Sequence, residues 1–200
     1  KVLPNLRTGS EKKISVPARC PICESKVERV KGEVAYRCIN KNCYAANLRC
    51  LMHWTSRGAV DIEGLGPKII EQLVKRGLVS DISDFYILTE DDLLPLERFA
   101  EKSADNLIKA IEAKKNIPLE RFIYGLGIRH IGEEMANELA KQISHKLNYK
   151  SPQIKISQII QVISELNQEN LEKIQDVGPI VAKSIYGWFR EKHNLELLGK

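Results

Sequence analysis

The chain has 200 residues, of which 43% are hydrophobic and 28% are charged, and its formal net charge is +5. This is the composition of folded globular material, enough for one large or two small domains, and it excludes a disordered tail. Charged residues interrupt every apolar stretch before the roughly 20 residues that a membrane span needs. The opening Lys1-Val2-Leu3-Pro4 lacks the apolar region of a signal peptide and predicts a cytoplasmic piece of a longer chain.

Basic charge is concentrated at the start of the chain. Residues 1–58 hold 12 Lys and Arg against 4 Asp and Glu, while residues 59–200 hold 19 against 22. The asymmetry fits a polyanion partner for the first part and fits an ordinary solvated surface equally well. Charge alone therefore does not identify a partner.

Residues 1–19 carry scattered Pro, Gly and Lys and predict an extended connector, with one short strand from Ile14 to Val16. Residues 20–46 contain two alternating stretches, 26–30 and 33–37, on either side of Gly32. Alternation of this kind around a glycine predicts a small β-hairpin.

Four cysteines of this segment have the spacing of a metal site. Cys20 and Cys23 form a C-x2-C pair, Cys38 and Cys43 form a C-x4-C pair, and fourteen residues separate the pairs. Each pair can present two sulfurs from one turn, so the four predict a closed, structural Zn²⁺ site. Disulfide bonds are the weaker alternative, because nothing marks the chain as secreted.

Cys50 and His53 follow the four cysteines in the sequence. Cys50 lies in a helical stretch and is predicted to be a small buried side chain. His53 is ten residues past Cys43, and the four cysteines already complete a zinc shell, so His53 is not expected to bind the metal.

From Asn47 onward the periodicity is helical, with predicted caps at Ser80, Thr89 and Ser157, and no strand of comparable strength follows. The predicted helices span about 47–57, 67–76, 81–88, 102–115, 118–124, 132–143, 157–164, 179–191 and 194–199. The fold class is therefore mainly α, with a small zinc-binding β-hairpin in front. Trp54 and Trp188 have the spacing of core residues.

A glycine-containing turn leads into the helix at Pro67, which suits the first helical position. Gly64 and Gly66 allow a tight turn and a close backbone approach, so N–H groups at the helix start can point at a phosphate. Leu65 between them is predicted to pack inward. A dinucleotide-binding fingerprint is excluded, because its third glycine would fall at Ile69 and no βαβ alternation surrounds it.

The same shape recurs three times with degeneration. The positions equivalent to Gly66 are Ala100, Gly132 and Gly178, at separations of 34, 32 and 46 residues. Any one of these turns taken alone fits a plain connector, but four in series indicate a repeat architecture. Arg98 and Glu101 replace small residues in the second turn, which predicts a purely structural role for it.

At this point the sequence resembles the bacterial NAD-dependent DNA ligase family over nearly its whole length. The resemblance rests on four stretches in the family's order, Cys20-Pro21-Ile22-Cys23 with Cys38 and Cys43, His53-Trp54-Thr55-Ser56-Arg57, Asp61-Ile62-Glu63-Gly64-Leu65-Gly66, and Tyr124-Gly125-Leu126-Gly127-Ile128-Arg129-His130-Ile131-Gly132. It implies a C-terminal fragment in which 1–19 leave an OB-fold domain, 20–46 form a tetracysteine zinc finger and 47–58 a linking helix. Residues 59–200 would hold four helix-hairpin-helix motifs in two paired units, about 59–116 and 117–200.

The resemblance also implies what this chain does not do alone. The family's Lys-x-Asp-Gly lysine reacts with NAD⁺, and this chain contains no Asp-Gly dipeptide. The parent enzyme, with NAD⁺ and Mg²⁺, would join 3′-OH and 5′-phosphate ends at nicks in replication and repair, whereas this segment carries no catalytic residue. A BRCT domain is expected after it. We expect a monomer that contacts nicked duplex DNA and the catalytic and OB-fold domains of its own parent chain, and no membrane.

The predicted contacts to DNA are backbone amides and nearby cations. The predicted DNA-binding residues are Gly64, Leu65, Gly66, Lys68, Lys102, Arg129, Ile131, Gly132, Gly178 and Lys183. Amide and cation contacts to phosphate carry no base code, so binding is expected to be independent of sequence and sensitive to salt. The alternative function is a free-standing zinc and helix-hairpin-helix interaction module or a rigid scaffold. An excess of acidic residues in 59–200 weighs against DNA binding by that half.

Overall fold

The computed structural model describes residues 4–11, 15–29, 34–147 and 154–200. The chain forms two compact units, residues 1–47 and residues 48–200. In chain order the regular elements are a 3₁₀ turn Pro4–Leu6, β1 Val27–Arg29, β2 Tyr36–Cys38, α1 Tyr44–Trp54, α2 Pro67–Lys75, a 3₁₀ segment Ile82–Ile87, α3 Glu90–Leu93, α4 Glu101–Ala113, α5 Leu119–Gly125, α6 Glu133–Lys146, α7 Ile156–Ser164, α8 Gln168–Glu172, α9 Pro179–Trp188 and α10 Lys192–Gly199. Within the described ranges no strand follows β2, so the predicted fold class is confirmed.

The β-hairpin is antiparallel, with Val27 opposite Cys38 and Arg29 opposite Tyr36. Its second strand runs from Tyr36 to Cys38, so Val34 and Ala35 of the predicted stretch 33–37 lie outside the strand. The turn predicted at Gly32 lies outside the described residues, and so does Ile14 of the predicted first strand. Ser15 and Val16 adopt no strand conformation.

Several helix boundaries differ from the sequence prediction. The stretch predicted as helix 81–88 is a 3₁₀ segment capped by Asp81, whose carboxylate accepts the Ser83 N–H, so the predicted cap at Ser80 is wrong. Thr89 does cap a helix, the short α3, which was not predicted. The cap predicted at Ser157 is also wrong, since α7 begins one residue before it.

Two apolar clusters form the core of the second unit. One is built from α1 to α4 and the 3₁₀ segment, and the other from α5 to α10. Phe122 of α5 and Leu126, the residue that follows this helix, pack against both clusters. Burial of apolar side chains from every helix stabilises the unit by the largest favourable contribution available to a helical fold.

A close approach between α1 and α5 joins the two clusters. The Trp54 ring meets Phe122 edge to face at 5.9 Å between centroids. Gly125 lies against the same indole, and a Cβ at this position would be 2.9 Å from the Trp54 ring. Trp54 is therefore a core residue as predicted, whereas Trp188 is half-buried.

Candidate metal centre and nucleic-acid interface

The structure brings the four predicted cysteines together. Cys20 and Cys23 lie in a turn before β1, in which the Cys20 N–H donates to the Ser25 carbonyl and the Glu24 N–H donates to the Cys20 carbonyl. Cys38 is the last residue of β2, and Cys43 directly precedes α1. The β-hairpin thus folds the second pair back onto the first.

The sulfur geometry fits one tetrahedral zinc ion. The four Sγ atoms lie within 4.8 Å of one another. The Cys20–Cys43 and Cys23–Cys38 sulfurs are 3.8 and 3.4 Å apart, too far for disulfide bonds. Zn–S bonds of about 2.3 Å in a tetrahedron place sulfurs about 3.8 Å apart, so these residues would hold Zn²⁺ with little adjustment. Four protein ligands leave no open position for substrate, which makes the site structural.

Hydrogen bonding and burial shift the pKa values of two of these thiols in opposite directions. Hydrogen bonds from the Ser25 hydroxyl and backbone N–H lower the pKa of Cys23 to about 6. The Asn40 backbone N–H acts to lower the pKa of Cys38, but burial and the neighbouring thiols outweigh it and raise that pKa to about 12. A divalent cation stabilises every thiolate at once, so bound zinc would favour the ionised form of all four cysteines.

Cys50 and His53 lie outside the sulfur cluster. Cys50 is exposed, so the prediction that it is a buried apolar side chain is wrong; its position on α1 faces away from the core formed by Leu51 and Trp54. His53 hydrogen-bonds the Tyr124 carbonyl through Nε2 at 2.8 Å. The His53 ring is therefore engaged in the helical unit and is absent from the sulfur cluster.

Four turns in the second unit share one backbone conformation, and we name them the first, second, third and fourth hairpins, residues 62–66, 96–100, 128–132 and 174–178. In each, the N–H of the fourth residue donates to the carbonyl of the first, at 3.3, 3.2, 3.0 and 3.1 Å. The third residue has positive φ in all four, namely Gly64, Arg98, His130 and Asp176. The fifth residue is extended and begins a helix, and these residues are Gly66, Ala100, Gly132 and Gly178.

The hairpins are anchored by the same buried positions. The fourth residue points inward, and Leu65, Ile131 and Val177 are buried while Phe99 is half-buried. The helical residue four positions past each hairpin is fully buried, and the set is Ile70, Ala104, Ala136 and Ala182. The four cap positions that the sequence marks as equivalent therefore belong to a structural repeat. Leu65 and Ile131 are buried and hold their hairpins on the core.

Three hairpins present unused donors to open space. The N–H groups of Gly66, Gly132 and Gly178 have no acceptor among the described residues. A Cβ built on any of these glycines would meet nothing within 4 Å. Each therefore lies at a helix start where the dipole favours an anion and where the glycine itself has no side chain beside the N–H group.

The second hairpin differs from the others. The Ala100 N–H donates to the Ser103 hydroxyl at 2.8 Å, so the donor at the start of α4 is already used. The residues equivalent to Ser103 are Ile69, Met135 and Val181, which have no oxygen to accept a hydrogen bond. Sequence reasoning noted the lost glycine and missed Ser103; a serine three residues after the cap position was the available signal.

Charge is distributed unevenly over the hairpins. Lys68 and Lys102 are exposed on the first turns of α2 and α4, Lys183 is exposed on the second turn of α9, and Arg129 is half-buried in the third hairpin. Glu133 and Glu134 are exposed as the first two residues of α6. The third hairpin therefore combines an open glycine with two nearby carboxylates, which weaken its attraction for an anion.

A tetracysteine zinc finger followed by helix-hairpin-helix repeats defines a DNA-binding class of protein. Residues 19–45 match the NAD-dependent DNA ligase C4 zinc finger domain. Residues 57–113 match the SAM-like helix-hairpin-helix tandem, and residues 158–198 match the helix-hairpin-helix motif.

Relatives over the full chain specify the protein further. The chain is 40% identical over 200 residues to a DNA ligase of Geotalea uraniireducens, covering 100% of this chain and 28% of the relative. It is 44% identical over 196 residues to a DNA ligase of Syntrophomonas wolfei, covering 98% and 28%. These matches identify the chain as the zinc-finger and helix-hairpin-helix region of the NAD-dependent DNA ligases, spanning little more than a quarter of the relatives' length. None of the described helices is long and apolar enough to cross a membrane.

Proposed function

We propose that this chain holds nicked duplex DNA by its phosphates, independently of base sequence, for a ligase whose chemistry is performed outside the matched region. The observation that carries the proposal is the set of open N–H groups at Gly66, Gly132 and Gly178. Similarity to one region of DNA ligases along nearly the whole of this chain supports duplex DNA as the ligand.

The hairpins suit a phosphate for a physical reason. A phosphate oxygen at a helix start accepts backbone N–H bonds and is favoured by the helix dipole. Lys68 on the first turn of α2 and Lys183 on α9 add positive charge beside two of the three open hairpins. Contacts of this kind position a protein on DNA and read no sequence.

The proposal is tested by fluorescence anisotropy of the zinc-loaded chain on a nicked duplex, from low to physiological salt. Gly66→Val, Gly132→Val and Gly178→Val each place a branched side chain where a phosphate would lie, while the extended backbone at these positions tolerates valine. Each variant is expected to weaken binding at every salt concentration, while the log–log salt slope changes by less than the roughly 0.9 that loss of one cation–phosphate contact would give, because no charge is removed.

Ala100→Val is the matched control, because the second hairpin already has a Cβ and its N–H is occupied. It is expected to bind as the parent does. Equal loss from all four variants would point to general damage at helix starts. A folded chain with no salt-dependent affinity would instead support the alternative, a protein-binding module or a rigid scaffold.

We further propose that NAD⁺ and Mg²⁺ act in the parts of the enzyme outside this segment, where the adenylation and nick-sealing steps would take place. The catalytic and OB-fold domains would be partners in the same chain. The protein is proposed to be a cytoplasmic monomer in replication and repair. The test is ligation of a nicked duplex by the full-length enzyme. If this activity is lost when Gly66→Val and Gly178→Val are combined, DNA binding by the hairpins is required for nick sealing.

A further inference from the structure

Two side chains near the end of α2 reach the second hairpin and the residue before it. Gln72 accepts the Glu97 N–H through Oε1 at 2.8 Å. Arg76 donates from Nη2 to the Pro95 carbonyl at 2.6 Å. The two residues are four positions apart and therefore project from the same side of the helix. At its other end α2 is preceded by Gly66, the open glycine of the first hairpin.

Three backbone N–H groups of the second hairpin are already hydrogen-bonded, two of them to side chains. The Glu97 N–H goes to Gln72, the Phe99 N–H to the Leu96 carbonyl, and the Ala100 N–H to Ser103. A donor already satisfied gains little from a phosphate, because a hydrogen bond must be broken to make the new one. The second hairpin therefore has these three N–H groups already hydrogen-bonded within the protein.

The second half of the unit provides an internal comparison. The α6 positions equivalent to Gln72 and Arg76 are Glu138 and Gln142, and they hydrogen-bond each other at 3.1 Å. Neither reaches the fourth hairpin in the described hydrogen bonds, and the Gln175 and Gly178 N–H groups there have no acceptor among the described residues. A side chain of α2 therefore holds the second hairpin, whereas among the described hydrogen bonds no side chain of α6 holds the fourth hairpin in the same way.

We propose that the second hairpin is a brace that sets the direction of α2 and so aims the first hairpin at its phosphate, with Gln72 as the positioning residue. This inference rests on the proposed DNA-binding function. The side-chain amide of Gln72, in the C-terminal half of α2, accepts the Glu97 N–H, while Gly66, just before the N-terminus of α2, would contact the ligand. The sites are coupled through one short, rigid helix of nine residues.

The experiment is a double-mutant cycle on nicked-duplex affinity in the zinc-loaded chain. Gln72→Ala alone is expected to lower affinity by about three- to tenfold, the range set by one lost hydrogen bond. In a Gly66→Val background the same change is expected to cost less than about twofold, because the contact through which Gln72 acts is already gone. In a Gly178→Val background the full loss should return. Gln72→Glu, which keeps an acceptor oxygen, should retain most of the affinity.

Gln142→Ala is the control, a neutral half-buried side chain at the corresponding face of α6, and it should bind DNA as the parent does. Amide hydrogen exchange of Glu97, protected in the parent and exposed in Gln72→Ala, reports the brace directly and does not require DNA. Unchanged affinity in Gln72→Ala, or equal losses in both glycine backgrounds, would overturn the proposal. The proposed function would still stand if Gly66→Val and Gly178→Val weaken binding, and both proposals fail if the parent binds no DNA.

Discussion

The two compact units are held together by different forces. In the described part of residues 4–47 the only buried residues are Cys20 and Cys43. The helical unit instead buries apolar side chains from all ten described helices, among them the fully buried Leu51, Phe85 and Ile185. A metal must therefore stabilise the first unit, whereas the hydrophobic effect stabilises the second. The first unit thus depends on a bound metal for its fold and the second does not. The stability of each unit can therefore be changed separately while the folding of the other is measured.

The largest effect is expected from removing zinc. Metal binding in small tetracysteine sites contributes on the order of 10 kcal/mol or more, and the described residues of the finger form no apolar core that could replace it. Excess chelator should unfold residues 15–47, seen as loss of dispersed NMR signals there, while the helical circular dichroism remains. Cys38→Ser should do the same, and Cys50→Ser should keep full zinc content. Cooperative loss of both units would refute their independence.

Deleting a large side chain from the helical core should produce the reverse result. Phe85 is fully buried in the first apolar cluster, so Phe85→Ala removes its transfer energy and leaves a cavity. The free energy of unfolding of the helical unit is expected to fall by about 3–5 kcal/mol. Denaturant melts followed by circular dichroism measure this loss, and zinc stoichiometry should stay at one. Zinc release by this variant would show that the finger depends on the helical core.

A pair of glycine substitutions tests how tightly the helical core is packed. Gly125→Ala places a Cβ 2.9 Å from the Trp54 ring and should cost about 1–3 kcal/mol through overpacking. Gly187→Ala in α9 meets open space and should stabilise by up to about 1 kcal/mol through helix propensity. Thermal melts of the two variants should therefore shift in opposite directions. Shifts of the same sign would contradict the packing at Trp54.

The smallest effect concerns an ion pair that should act on the helical unit alone. Burial tends to raise the pKa of Asp81, but hydrogen bonds from Lys200 and Ser83 outweigh it and hold that pKa below its ordinary value of 3.8. Because the folded pKa is depressed, the contribution to stability is present above pH 3.8 and is lost as pH falls through the folded pKa. Lys200→Ala should lower the urea midpoint slightly at neutral pH and leave it unchanged in strong acid, where both proteins have Asp81 protonated.

Features set by local spacing were predictable from the sequence, and features set by packing were not. The cysteine spacing alone placed the four sulfurs, because each pair sits in one turn. The cap positions at Gly66, Ala100, Gly132 and Gly178 also followed from a short repeated pattern. The short α3 and α8 went unpredicted, since four or five residues give no clear period. Exposure of Cys50 depends on how α1 lies on its neighbours, which helical periodicity in one short segment does not fix.

The left-handed residue in each hairpin bears on how degenerate repeats are recognised in other chains. A search that requires glycine at this position finds Gly64 and passes over Arg98, His130 and Asp176, although all four have positive φ. The third hairpin, residues 128–132, lies between the two helix-hairpin-helix matches rather than inside either. The buried residues after each turn persist in all four copies, with Leu73, Leu107, Leu139 and Ile185 seven positions past the cap. A sequence pattern based on these buried positions would detect repeats whose exposed residues have diverged. The packed core tolerates less change in side-chain volume than the exposed turn does.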